Sequence, residues 1–213
     1  MSRAKVPAIC RQGGTVKKAI IMLALLVATA TPAAAQGAGF GVKAGINFAN
    51  LNFDPDEGAD ISTRTGIAAG VFATVPVAPR FAFQPEVLFS QQGAKAEDDG
   101  FEATFKLNYV NIPLLANINL GGGENPVSLL LGPQIGFRTS AKVEGEGEEE
   151  DLKDDTESTD FGIVVGIAAS IRNIGIEARY THGLRNINAD DEDEQEVKNR
   201  VFSILFGIKI GRR

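Results

Sequence analysis

Charged side chains that could act on one another, or on a passing ion, occur at alternate positions in extended segments. Glu177 and Arg179 are two residues apart, so in an extended segment they lie on the same face. The same alternation predicts a common face for seven charged residues: Lys43, Glu86, Arg138, Arg172, Glu177, Arg179 and Lys209. In a closed sheet these would either line a narrow ion path or pair and fill the interior. The sequence favours pairing, because an unpaired buried charge is costly. Glu177 and Arg179 are the first pair to test.

Two acidic runs offer a second kind of chemistry, the binding of divalent cations. Residues 142–160 read KVEGEGEEEDLKDDTESTD, with ten acidic residues against two lysines, and DDEDEQE at 190–196 adds six more acids. One hypothesis is Ca²⁺ or Mg²⁺ bound between loops or bridged to anionic lipopolysaccharide. Neither run has the D-x-D-x-D-G spacing with a closing Glu that an EF-hand requires. The sequence therefore favours solvated acidic loops.

Enzymatic chemistry lacks the residues it would need. His182 is the only histidine and Cys10 the only cysteine. A nucleophilic triad or a zinc site needs additional histidine or thiol groups. The alternation places His182 on the apolar column, beside Tyr180 and Leu184. There it would be a polar residue at the edge of the apolar band. We predict no catalytic residues, no cofactor, no metal site and no enzyme.

The elements that would position these side chains are segments with an apolar residue at every second position. Residues 40–48 read FGVKAGINF and residues 202–210 read FSILFGIKI. Period two predicts a β-strand with one apolar face. Eight such strands are predicted, at residues 38–49, 64–76, 81–93, 105–120, 127–141, 161–172, 174–187 and 199–211. Their connections alternate between long and short, as in outer-membrane barrels.

The two faces of these strands distinguish a membrane barrel from a soluble one. The apolar column, for example Ile163, Val165 and Ile167, carries no charge, as lipid exposure requires. The opposite column is rich in Gly, Ala and Ser, which suit the narrow interior of an eight-stranded barrel. A lipocalin-like soluble barrel, with its apolar column inside around a hydrophobic ligand, is the alternative. In the strand at 105–120 the apolar phase changes, which predicts a bulge near Tyr109–Val110.

The first 35 residues have the features of a secretory signal peptide. Five basic residues precede the apolar run AIIMLALLVATA at 19–30, and the small residues AAA at 33–35 form a cleavage site. The apolar run is too short to span a membrane as a helix. We therefore predict a signal peptide at 1–35 and one barrel domain at 36–213. That domain keeps 16 Lys and Arg against 27 Asp and Glu, a net charge of −11 that argues against nucleic-acid binding.

Several segments resemble a known family. The segments FAFQPEVLFSQQGAK, KLNYVNIPLLANI, LLLGPQIGF and NRVFSILFGIKI are similar to the PorT-type outer-membrane β-barrel domain family, common in Bacteroidota. The more specific motifs are Q-P-E at 84–86, N-I-P at 111–113 and G-P-Q at 132–134. The resemblance implies an OmpA- or OmpX-like eight-stranded barrel, and it implies no defined activity.

The fold expected is therefore an all-β, eight-stranded antiparallel up-and-down transmembrane barrel in a bacterial outer membrane, surrounded by lipid and lipopolysaccharide. The function expected is non-enzymatic, in envelope integrity or surface interaction through acidic extracellular loops. A narrow pore, or an accessory component of a transport or secretion system, is the rival. No protein partner can be named from the residues.

Overall fold

A computed structural model of the chain describes residues 38–54, 60–98, 101–121, 127–145, 148–152, 156–188 and 196–210. All of them belong to the compact unit Gly37–Arg213. The predicted signal peptide and most of the second acidic run, at 189–195, lie outside the described residues. No helix within the described part of the chain is long and apolar enough to cross a membrane.

The fold is a closed ring of eight antiparallel strands, and this confirms the predicted fold class. The described residues form nine strands, of which all but β6 belong to the ring: β1 (Gly39–Asp54), β2 (Asp60–Ala78), β3 (Phe81–Asp98), β4 (Phe101–Asn119), β5 (Val127–Gly145), β6 (Glu148–Asp151), β7 (Thr159–Ile171), β8 (Ile174–Gly183) and β9 (Glu196–Ile210). Each strand of the ring pairs with its neighbours in sequence, β1 with β9 included, and the β4–β5 pairing completes the circle. The short strand β6 lies outside the ring and pairs only with the end of β5.

The strands extend further than predicted at one end of the ring, which we call the long-loop end. There β1 continues to Asp54, β3 to Asp98 and β5 to Gly145, whereas β8 stops at Gly183, earlier than predicted. The opposite, short-turn end has the connections 79–80, 120–126 and 172–173. Part of the first acidic run, predicted as a loop, is instead the β5–β6 hairpin. Apolar alternation does not predict this hairpin, because its side chains are mostly polar.

The two faces of the ring differ as the alternation predicts. Val165, in the middle of β7, is 47% exposed, while its neighbour Val164 is completely buried. The outward column contains, among other residues, Val42, Ile46, Ile67, Val71, Leu131, Ile163, Ile167, Phe206 and Ile208, all of them exposed. The inward column buries Lys43, Asn47, Gln84, Glu86, Ser90, Gln92, Asn111, Gln134, Glu177, Arg179 and Ser203. This barrel therefore has an apolar exterior and a polar interior along most of its length.

The irregularity expected near Tyr109–Val110 belongs to the neighbouring strand. The register shifts between Asn108, opposite Ser140, and Tyr109, opposite Arg138, so the extra residue is Thr139 of β5. Alternation continues unbroken along β4, which points Leu107 and Tyr109 inward. The interpretation of a phase change within β4 was wrong, because it assumed that every apolar side chain of the strand faces outward.

Candidate functional site

A cluster of four charged side chains crosses the barrel interior. Lys43 Nζ lies 2.8 Å from Glu86 Oε1 and 2.7 Å from Glu177 Oε2. Arg179 donates from both Nη1 and Nη2, at 3.0 Å each, to Glu86 Oε2, and it also forms an ion pair with Glu177. We call Lys43, Glu86, Glu177 and Arg179 the central cluster. With two cations and two carboxylates, it is formally neutral.

The backbone positions the cluster through three strands that contribute to the same level of the interior. Lys43 is on β1, Glu86 on β3, and Glu177 and Arg179 on β8. On β8 the two charged residues flank Ala178, so period two aims both of them inward. All four are nearly inaccessible to solvent, with 1% of Glu86 and 4% of Lys43 exposed. The aliphatic stem of Lys43 leads to an ammonium 4.7 Å from the centre of the Phe72 ring, a cation–π contact.

The side chains of the cluster meet across the lumen. Groups on β1, β3 and β8 lie within hydrogen-bond distance of one another. Gln84 donates to Glu86 Oε1 at 2.8 Å and accepts from Asn117 at 2.8 Å, which adds a further polar layer toward the short-turn end. A charged group crossing this level would have to break ion pairs in a medium of low dielectric constant.

The other predicted members of the charged face lie elsewhere. Arg138 donates from Nε to the carbonyl of Glu157 at 3.0 Å and from Nη2 to that of Thr156 at 2.8 Å, near the long-loop end. Lys209 lines a cavity at the short-turn end, and among the described residues it has no ion-pair partner. Arg172 was expected inside, but it is exposed in the β7–β8 turn with a left-handed φ of 54°. Alternation cannot place Arg172, because period two ends where the strand ends.

A neutral polar layer lies next to the central cluster on its other side. Asn47 donates to Ser90 Oγ at 2.9 Å and accepts from Ser203 Oγ at 2.8 Å, which joins β1, β3 and β9. Gln92 donates to the same Ser90 hydroxyl at 3.0 Å. A void of about 20 Å³ lies at this level. Hydrogen-bonded side chains from three strands therefore meet here as well.

Two larger spaces lie at the ends. A cavity of about 250 Å³ opens at the short-turn end and reaches Lys43, Glu177, Gln84 and Lys209. A second cavity, of about 230 Å³, lies at the long-loop end among apolar side chains that include Leu107 of β4. Sequence reasoning missed this second cavity. The available signal was the apolar run Phe105, Leu107, Tyr109, which breaks the polar character of the inward column.

His182 lies on the outer face with its ring stacked on Tyr180, at a centroid distance of 6.3 Å. Within the described part of the chain, no three His, Cys, Asp or Glu side chains are placed to hold a metal ion.

Comparisons with known proteins relate this geometry to one family and one fold. A family model described as an outer membrane protein beta-barrel domain matches residues 33–189. No curated protein matches the sequence. The crystal structure of Neisserial surface protein A is similar, with a TM-score of 0.50, 18% identity, and coverage of 82% of this chain and 100% of the other.

Two further solved structures align over similar lengths. OprG from Pseudomonas aeruginosa has a TM-score of 0.48 at 11% identity, with coverage of 83% of this chain and 97% of the other. The attachment invasion locus protein Ail of Yersinia pestis has a TM-score of 0.44 at 14% identity, with coverage of 82% and 100%. At these identities, the comparison with the Neisserial protein supports the barrel fold and nothing finer.

Proposed function

This chain belongs to the outer membrane protein β-barrel domain family, and on that premise we propose that it is a closed, non-conducting barrel. Its role in this proposal is non-enzymatic, in envelope integrity or surface interaction through the acidic loops. The bacterial outer membrane is its location, so the apolar exterior faces lipid. The long-loop end is then extracellular and the short-turn end periplasmic, as in other barrels of this membrane. A soluble barrel around an apolar cavity was the weaker alternative, and the exposed apolar exterior is inconsistent with it.

The observation that carries the proposal is the central cluster. Lys43 and Arg179 bind different oxygens of Glu86, and Lys43 also reaches Glu177 at 2.7 Å. An eight-stranded barrel is only just wide enough for side chains to fill its interior. Four mutually paired charges with a polar layer on either side therefore support a plugged lumen. With the lumen plugged, the loops and the two rims of the barrel are the parts that interact with other molecules.

A narrow pore, or an accessory component of a transport or secretion system, is the second candidate. The periplasmic cavity of about 250 Å³ favours it, because this space, lined by both polar and apolar residues, extends to Lys43 and Glu177 from one side. A rearrangement of the central cluster would be needed to connect this cavity to the extracellular side.

Four finer assignments belong to the same proposal. The Q-P-E, N-I-P and G-P-Q motifs support membership of the PorT-type branch, common in Bacteroidota. The basic and apolar pattern of residues 1–35 supports a cleaved signal peptide. Lipopolysaccharide is the proposed neighbour of the outer rim. Divalent cations bridging the acidic loops to its phosphates are the weaker hypothesis, because the acidic runs lack a known cation-binding spacing.

Planar-bilayer recording of the purified, refolded protein tests the proposal. We expect no steady conductance from the unmodified barrel. A double variant, Glu86→Ser with Arg179→Ser, removes one cation and one carboxylate from the cluster and should give measurable current. The matched control, Glu196→Ser with Lys198→Ser, removes an exposed ion pair and should remain silent. Discrete current steps from the unmodified protein would instead establish the narrow pore.

A further inference from the structure

The extracellular end of the lumen is apolar, in contrast to the central cluster and the polar layers beside it. Leu51, Leu107, Tyr109, Ile187 and Val197 form a buried cluster there, with Phe53, Phe105 and Leu152 packed against it. A cavity of about 230 Å³ lies among these side chains. We call this cavity the mouth pocket. Among the described residues its lining is apolar apart from Thr156 and Asn188, and none of these lining residues is charged.

The mouth pocket has a polar floor that separates it from the filled interior. Tyr109 is completely buried, and Asn199 Nδ2 lies 3.4 Å from its hydroxyl. The same Asn199 amide donates to Asp160 Oδ2 at 2.8 Å. These three side chains come from β4, β7 and β9, so they connect the wall across the lumen. A molecule in the pocket would therefore reach no further inward than this layer.

Backbone hydrogen bonds also hold part of the pocket lining in place. Thr156 and Asn188 form an isolated antiparallel bridge between the β6–β7 and β8–β9 connections. Beside it, Glu157 N donates to the carbonyl of Ile187 at 2.8 Å, and Ile187 N donates to that of Val197 at 2.9 Å. Leu152 N donates to the carbonyl of Ala141 at 3.0 Å. Two lining residues of the pocket, Leu152 and Ile187, are thus held by main-chain hydrogen bonds.

Size and charge restrict what would occupy this space. A dry cavity of about 150 Å³ with an aliphatic and aromatic lining is large enough to bind benzene. The mouth pocket is larger, so a substituted ring or a short alkyl chain fits. A charged group would be desolvated against apolar walls without a partner, at high cost. Anions are disfavoured further, because Asp151 and Glu157 adjoin the lining residues Leu152 and Thr156 in the chain.

We propose that the mouth pocket binds a small uncharged hydrophobic molecule, of the size of a substituted benzene, from the extracellular side. This inference rests on the proposed function only in that the barrel stands in the outer membrane with its loops outside. A bound molecule makes van der Waals contacts with lining side chains that otherwise face empty space. The polar floor stops the molecule from passing inward, so the site retains it and does not conduct it.

Fluorescence can test this site because the chain contains no tryptophan. Phe53→Trp places a single indole in the pocket lining, and Phe206→Trp places one on the lipid-facing exterior as the matched control. Both variants are reconstituted in nanodiscs and titrated with bromobenzene, a heavy-atom quencher. We expect saturable quenching at position 53 and quenching proportional to bromobenzene concentration at position 206, where the quencher only partitions into lipid.

A second substitution separates the pocket from general partitioning. Val197→Phe, added to the Phe53→Trp chain, fills the pocket and should abolish the saturable phase. Val71→Phe adds the same volume on the exterior and should leave that phase intact. Heat-dependent gel mobility identifies variants that have folded. The unmodified protein, titrated with fluorobenzene, should show saturable broadening of the fluorine resonance, and this measurement needs no substitution.

Three outcomes would overturn the proposal. They are proportional quenching at both positions, saturable quenching that survives Val197→Phe, and quenching at position 53 by lipids brominated on their acyl chains. The last outcome would assign the pocket to a bilayer lipid. None of them bears on bilayer conductance, so failure of this inference and failure of the plugged barrel remain distinguishable.

Discussion

Lys43 and Glu86 form a 2.8 Å ion pair across the barrel interior, although their strands are not neighbours in the ring. The strand between them, β2, contributes Phe72, whose ring packs under the Lys43 ammonium. Glu86 accepts at its second oxygen from Arg179 of β8. One carboxylate therefore binds two cations that come from two other strands, and it is the centre of the cluster.

Glu86→Gln should strongly destabilise the barrel. The substitution removes the negative charge that Lys43 and Arg179 share at position 86. An uncompensated buried charge typically lowers the free energy of unfolding by about 3–5 kcal/mol. Urea unfolding of the protein in lipid vesicles measures the loss. Glu102→Gln, an exposed position on β4, is the matched control and should change the midpoint little. Equal midpoints for the two variants would contradict a structural role for the central cluster.

Val165→Arg should destabilise the inserted barrel because Val165 faces outward near the middle of β7. Arginine at the bilayer midplane costs about 2–4 kcal/mol, and the cost falls to about 0–1 kcal/mol near the interface. Ile171→Arg, next to the β7–β8 turn, is the comparison. The difference between the two variants in vesicle unfolding free energy measures the depth of position 165. If Ile171→Arg proves the more damaging, our placement of the apolar band is wrong.

Gly93→Ala should destabilise β3 for two reasons. Gly93 has a φ of 120°, a conformation that L-residues rarely adopt, and an added Cβ would overlap the carbonyl oxygen of Phe105. Strained backbone of this kind costs about 1–3 kcal/mol. Gly39→Ala is the control, since its Cβ would meet nothing within 4 Å. The temperature at which the folded, fast-migrating form on a gel disappears measures the stability of each variant. Similar temperatures for the two variants would show that Gly93 tolerates a side chain.

Pairing of β6 with β5 should depend on pH through Glu149. Lys142, at 2.8 Å, and then Lys106, at 3.0 Å, donate to the Glu149 carboxylate and hold its pKa below the ordinary value of 4.5. A lowered pKa means that ionised Glu149 stabilises the hairpin above pH 4.5. That stabilisation is lost as the pH falls through the lowered pKa.

Amide hydrogen exchange between pH 6 and pH 3 measures this dependence. After correction for intrinsic exchange rates, protection in β6 should decline toward the acid end in the unmodified protein. Glu149→Gln should remove most of the decline by lowering protection at pH 6. Glu150→Gln is the control, because no ion pair involves Glu150 among the described residues. A Glu150→Gln profile that matches that of Glu149→Gln would argue against a specific role for Glu149.

The sequence by itself determined the eight strands of the ring and the two faces of the barrel. Val165 and Gly166 illustrate the reason: side chains alternate with period two, so polarity read along one strand reveals which residues face out. Because an isolated strand cannot satisfy its backbone in lipid, eight such strands imply a closed ring. The inward direction of Lys43, Glu86, Glu177 and Arg179 followed from the same period.

Only the tertiary structure decided which inward side chains meet. Lys43 and Glu177 are 134 residues apart in the chain and 2.7 Å apart in space, and strand register sets that distance. Arg138 has the same phase as Arg179 but lies at another level, where it binds backbone carbonyls. Alternation specifies a face and carries no information about height along the barrel axis.

The apolar extracellular mouth is the second feature that the sequence did not reveal. Leu107 and Tyr109 are apolar and inward, in contrast to the polar side chains of the neighbouring layers of the interior. A leucine that faces lipid and a leucine that lines a pocket look identical in a strand pattern, because both are shielded from water. The β5 bulge at Thr139, together with the packing of Leu152 and Ile187 in the same cluster as Leu107, distinguishes a pocket leucine from a lipid-facing one. These are contacts between distant segments, and local periodicity does not encode them.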